Sequence, residues 1–126
     1  MLIHHYHQAH QRFKMTAGKY DLTIEQGSDF SLTLTVKEGG IVKNLAGFTA
    51  RGSMRKTYDA TTAHDFTFTS DYDATGIIIM KMAHTATDDL DAGFYVYDVE
   101  LVHSGNGTVQ RLIEGKAEVT REVTRG

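Results

Sequence analysis

The chain has 126 residues, 40% hydrophobic and 23% charged, with a formal net charge of −3 and neither cysteine nor proline. That length suits one domain with a modest core, and the missing cysteines exclude a disulfide framework and any thiolate metal site. Residues 1–19 carry Arg12, Lys14 and Lys19 and no acid, whereas the rest carries ten basic and sixteen acidic side chains, so a phosphate-backbone ligand is disfavoured.

The chain begins MLIHHYHQAHQ, with no apolar core of the kind a secretory signal needs. The longest apolar run, GIIIMKMA, falls far short of the ~20 residues that span a bilayer. Synthesis in the cytoplasm without standard export is expected. His4, His5, His7 and His10 crowd into seven residues. On a helix His4, His7 and His10 would share a face and could hold zinc or nickel. The first acid is Asp21, however, and short histidine-rich tracts are only a compositional hint. The favoured reading is an N-terminal arm, residues 1–18, that binds no physiological metal. Met15 is an alternative start. The arm's His4, His5, Tyr6 and Phe13 are candidate partner contacts, residues 19–126 form the single sandwich domain, and deleting residues 1–14 is expected to leave that domain folded but to weaken assembly.

From there period-two alternation dominates. In DFSLTLTVK, Phe30, Leu32, Leu34 and Val36 face one way and Ser31, Thr33, Thr35 and Lys37 the other. Glu38-Gly39-Gly40 supplies a turn. FTARGSMRK is a second strand, where Gly52 marks a bulge or a close backbone approach. DFTFTS turns Phe66 and Phe68 inward, DYDATG (71–76) is a turn, and IIIMKMA (77–83) is apolar on both faces as far as Lys81. Thr87-Asp88-Asp89 reads as the start of one helical turn. Tyr95, Tyr97, Val99 and Leu101 then share a strand face, and SGNG (104–107) links that strand to a last hairpin arm. The pattern predicts an all-β, immunoglobulin-like antiparallel sandwich of about seven to nine short strands with at most one short helical turn. Asp91, Gly93 and Tyr95 would build the tyrosine corner of such a fold, and Tyr97 would fill the core where disulfide-bearing relatives keep a cysteine.

No chemistry-bearing motif stands out. DYDATG matches the first positions of a calcium loop, but Met82 occupies the place of its bidentate glutamate. Asp88, Asp89 and Asp91 could do acid–base work only if a cleft held them, and no nucleophile elbow, Walker loop or zinc helix is present. An enzyme is not expected, and no cofactor is called for. Tyr58 and Tyr72 read as single exposed tyrosines whose loops could offer a sugar platform, weakened by the absence of tryptophan. Ile77 and Ile79 would form an outward apolar patch opposite Ile78, Met80 and Met82, with Phe94, Val96 and Val102 doing the same on the next strand. Either a partner or another part of this chain would cover it.

The segments GKYDLTIEQGSDFSLTLTV, NLAGFTARGSMRK, DLDAGFYVYDVELV and QRLIEGKAEVTREVTR together resemble a family of small virion structural proteins of tailed bacteriophages. They are similar to the immunoglobulin-like N-terminal domain of baseplate and receptor-binding-complex proteins. The resemblance runs from Gly18 to Arg125. The first fourteen residues have no counterpart in it, Gly52 stands where a larger residue is usual, and Asp91 where proline is expected. It implies a non-enzymatic assembly or adaptor module of tail, baseplate or fibre attachment. Its partners would be other virion proteins in multiple symmetric copies, with no nucleic acid and no membrane. A carbohydrate-binding sandwich contacting host glycans is the alternative.

Overall fold

The computed structural model describes residues 2–5, by their backbone, and residues 18–124. In chain order the described elements are β1 (Leu2–His5), β2 (Gly18–Lys19), β3 (Leu22–Glu25), β4 (Phe30–Glu38), β5 (Ile41–Val42), β6 (Phe48–Arg55), β7 (His64–Asp65), β8 (Thr67–Thr69), β9 (Ile77–Met82), α1 (His84–Thr87), β10 (Gly93–His103) and β11 (Val109–Thr120). One sheet runs β1-β4-β9-β8, with β5 continuing beside β4. The other runs β2-β11-β10-β6-β7, with β3 also on β11. Pairing is antiparallel except where β2 and β3 lie parallel to β11. One sheet of four main strands faces β6, β10 and β11 of the other, which is the layout of an immunoglobulin-like sandwich.

Alternation builds the core. Leu32, Leu34 and Val36 of β4, Ile78, Met80 and Met82 of β9, and Tyr95, Tyr97, Val99 and Leu101 of β10 are all buried. Each fully buried aliphatic contributes roughly 1.5–3 kcal/mol against the entropy of ordering the chain. Gly52 faces a close approach, since a Cβ there would meet the Asp98 carbonyl at 2.7 Å. The β11 strand carries one irregularity that alternation alone does not foresee. Its register against β10 shifts between Val99 and Glu100, and consecutive Leu112 and Ile113 both turn inward.

Several expectations are corrected. Phe66 and Phe68 are not on one strand. Phe66 sits where the chain leaves β7 in one sheet for β8 in the other, and its amide donates to the Gly52 carbonyl at 3.0 Å. The helical turn lies earlier, at His84–Thr87, so Asp88 and Asp89 follow its last residue rather than open its first turn. Its start is served from a distance, because Asp29 accepts the His84 amide at 2.7 Å and approaches His84 Nδ1 at 2.9 Å. The His84 amide and ring hold the Asp29 carboxyl below its ordinary pKa. The N-terminal arm is not separate from the fold over Leu2–His5. That segment pairs with Leu34–Lys37 of β4, so removing it strips an edge strand from the first sheet.

Two tyrosines tie β10 to its surroundings. Tyr95 Oη donates to the Asp91 carbonyl at 2.7 Å, and Gly93 between them adopts φ 130°, a value side chains strain to reach. This is the geometry of a tyrosine corner. Tyr95→Phe should therefore lower stability by about 1 kcal/mol, the worth of a typical hydrogen bond with a buried partner. Urea unfolding measures it, and an unchanged midpoint would mean water takes the carbonyl at no cost.

Tyr97 stands edge-on to Phe66, with ring centres 6.3 Å apart, and its hydroxyl donates to the Tyr20 carbonyl. Burial, followed by the charge of Asp21, pushes its phenol far above the ordinary tyrosine range. Tyr20 lies at the break between β2 and β3. Its amide donates to the Glu114 carbonyl at 3.0 Å, and Asp21 accepts the Lys116 amide at 3.0 Å. Gly115, directly across from Tyr97 in the ladder, leaves the room in which the Tyr20 backbone crosses.

Candidate docking surface

The same alternation that buries the even-numbered residues of β4 and β9 sends their odd-numbered residues outward. Lys37, Thr35, Thr33 and Ser31 line β4. Register places Val42 beside Lys37, Ile77 beside Thr35, and Ile79 beside Thr33. On the far side Thr69 adjoins Ile79 and Thr67 adjoins Lys81. Val42, Ile77 and Ile79 thus form a ridge flanked by threonines. Ile77 is 42% exposed, Val42 39%, and Ile79 is half-buried between its neighbours. No carboxylate stands in these rows. Neither Lys37 nor Lys81 has an ion pair among the described residues.

This ridge depends on β5, an element absent from the strand reading. The available signal was Gly39-Gly40, both at positive φ, closing the two-residue hairpin between β4 and β5. The patch could be found from Ile77 and Ile79. Its extension through Val42 needed the register.

The outer face of the other sheet is chemically different. Arg51 Nε meets Glu100 at 2.9 Å, Lys19 meets Glu114 at 3.0 Å, and Arg111 lies 3.6 Å from Asp98 and 3.3 Å from Glu114. Burial, then the Glu100 charge, raises the Asp98 pKa. Phe94, Val96 and Val102 belong to this face, with Phe94 63% exposed. They therefore lie on the opposite side of the sandwich from Ile77 and Ile79, not beside them, because β10 follows β9 in the chain but joins the other sheet.

The remaining candidate residues are dispersed. His4 and His5 stand opposite Thr35 and Leu34 in β1, on a strand and not on a helix. Tyr6, His7, His10 and Phe13 lie outside the described residues. Asp73 spends its carboxylate inside its own turn, accepting the Thr75 amide at 3.0 Å and hydroxyl at 2.6 Å. Thr75 holds its carboxyl below the ordinary pKa. Among the described residues no cluster of histidine and acidic side chains suits a metal. Asp88 and Asp91 line a shallow hollow of about 620 Å³ with Gln26, Arg121 and Glu122, and Asp89 is not part of it.

Tyr72 is not an exposed tyrosine. It packs on the core, and its hydroxyl accepts the Ala50 amide at 3.1 Å. Tyr58, 82% exposed, borders a different hollow from the one Tyr72 lines. The two do not form a joint platform for a sugar ring. No protein-family model matches the chain, and no curated protein matches it.

Proposed function

We propose that this chain is a non-enzymatic assembly module of a tailed-bacteriophage particle, serving tail, baseplate or fibre attachment. It would dock through the outer face of the first sheet. The observation that carries the docking role is the carboxylate-free face around Ile77, on a protein whose other sheet bears ion pairs such as Arg51–Glu100 and Arg111–Asp98 on its outer face. An exposed β-branched surface with so little charge suits contact with another protein better than water. The particle context rests on the resemblance of the segments between Gly18 and Arg125 to virion structural proteins.

Mass spectrometry of purified particles of the encoding phage tests the context. The chain should occur in fixed ratio to the major structural proteins, and its absence would end the particle reading. Ile77→Glu tests the face. It should leave the thermal midpoint within a few degrees, because Ile77 is already partly solvated. It should reduce incorporation into particles at least about tenfold, the effect of burying an unpaired carboxylate in an interface. Undiminished incorporation would remove this face from the proposal.

A further inference from the structure

The tip of the β10–β11 hairpin is fastened to a histidine ring. We infer that His103 is a proton-operated latch, which holds the tip closed while the ring is neutral and releases it when the ring is protonated.

His103 is the last residue of β10, and residues 104–107 form the tip. Two backbone amides converge on one ring nitrogen. The Gly105 amide donates to His103 Nδ1 at 3.1 Å, and the Asn106 amide donates to it at 3.3 Å. A backbone N–H can only donate, so Nδ1 must present its lone pair and the ring proton must sit on Nε2. The tip backbone lies against the ring, since a Cβ on Gly105 would stand 3.0 Å from Cε1 and 3.3 Å from Nδ1. A second proton would occupy the nitrogen that both amides use. Donor would then face donor, and the tip must turn its amides to water.

The surroundings offer the imidazolium nothing in return. The Phe48 ring of β6 stands edge-on to His103, with centres 4.8 Å apart, and Lys43 Nζ lies 4.6 Å from the Phe48 ring centre. Lys43 is itself paired with Glu38 at 3.6 Å. Arg51 of β6 and Glu100 of β10 meet each other on the outer face at 2.9 Å, and Arg111 of β11 lies 3.6 Å from Asp98. Among the described residues no carboxylate pairs with His103.

His84 is set the opposite way. Asp29 Oδ1 lies 2.9 Å from its Nδ1, so that nitrogen carries the proton and a second proton on the ring leaves the contact intact. The two histidines mark opposite ends of the sandwich. Asp29 adjoins the start of β4, whereas the tip is tied to Gly47, just beyond Lys43, whose amide donates to the Val36 carbonyl near the end of β4. Acid therefore loosens one end only. The base of the hairpin also keeps its bonds, because none uses a ring nitrogen. The Ser104 amide and hydroxyl donate to the Gly47 carbonyl at 2.8 and 3.0 Å, and the His103 amide donates to the Thr108 carbonyl at 2.8 Å.

NMR of the isotope-labelled full chain between about pH 8 and 5, where an imidazole takes its second proton, tests the latch. At the upper end the ring-nitrogen spectrum should show His103 protonated on Nε2 alone. On acidification the Gly105 and Asn106 amide signals should move with the same midpoint as the His103 ring. Their exchange protection, relative to the intrinsic rate at each pH, should fall about tenfold. His103→Asn sets an amide oxygen near the place of Nδ1, an acceptor that does not titrate, so both amides should stay protected throughout. His103→Ala should leave them unprotected throughout. A ring proton on Nδ1 at the upper end would overturn the inference. So would tip amides that ignore the ring's titration, or that titrate equally in His103→Asn. The amides of His84 and Thr87 report the far end and should keep their protection, and a parallel loss there would overturn a release confined to the tip.

Discussion

Gly115→Ala should cost about 3 kcal/mol of folding stability, at the upper end of what overpacking a tight site does. For a chain of this size that lowers the thermal midpoint by roughly 12 °C. An alanine Cβ would sit 2.2 Å from the Tyr20 carbonyl oxygen and 2.9 Å from Asp21 Oδ1. Neither can retreat easily. The Tyr20 carbonyl accepts the Tyr97 hydroxyl, its amide is bound to Glu114, and Asp21 holds the Lys116 amide. Relief would mean separating the β2–β3 segment from β11. Gly107→Ala is the control. It adopts φ 72° with nothing near its missing Cβ, so it carries only backbone strain of roughly 1–2 kcal/mol. Urea unfolding of both variants distinguishes the two costs. If Gly115→Ala loses no more than Gly107→Ala, the close approach is not a constraint on the fold.

Tyr97→Ala should be still more damaging, about 4 kcal/mol, because a large ring leaves the middle of the sandwich. Tyr97→Phe should lose only about 1 kcal/mol, since the ring stays and the Tyr20 carbonyl loses its donor. The split measures how far an aromatic can do the work that a disulfide does in other immunoglobulin-like domains. A Phe variant as unstable as the Ala variant would place the energy in the hydroxyl and not in the packing. Combining Tyr97→Phe with Gly115→Ala should be non-additive, because both changes act on the same Tyr20 carbonyl. Additive losses would show that the β2–β3 crossing responds to each independently.

Much of this was legible before any fold was known. The alternation of Leu32, Leu34 and Val36 against Thr33, Thr35 and Lys37 sets which side chains are sheltered, because successive strand residues point to opposite faces whatever strand lies alongside. The Asp91–Tyr95 corner was legible for a similar reason, since donor and acceptor are four residues apart. Local spacing also picked out Ile77 and Ile79 as outward-facing. It misplaced the helical turn because the group serving the amide of His84 is Asp29, 55 residues earlier in the chain.

By itself, then, the sequence determined an all-β sandwich, its inward rows and its corner. Those follow from the pleat of a strand and from short-range hydrogen bonds, which need no knowledge of distant partners. Only the tertiary structure decided which rows share a surface. It put Phe94 on the opposite face from Ile77, brought Val42 into line with Ile77 and Ile79, parted Tyr58 from Tyr72, and passed the Tyr20 backbone over Gly115. Strand order and register come from pairings between segments far apart in the chain. Period-two alternation repeats identically in every strand and carries no label saying which strand is the neighbour.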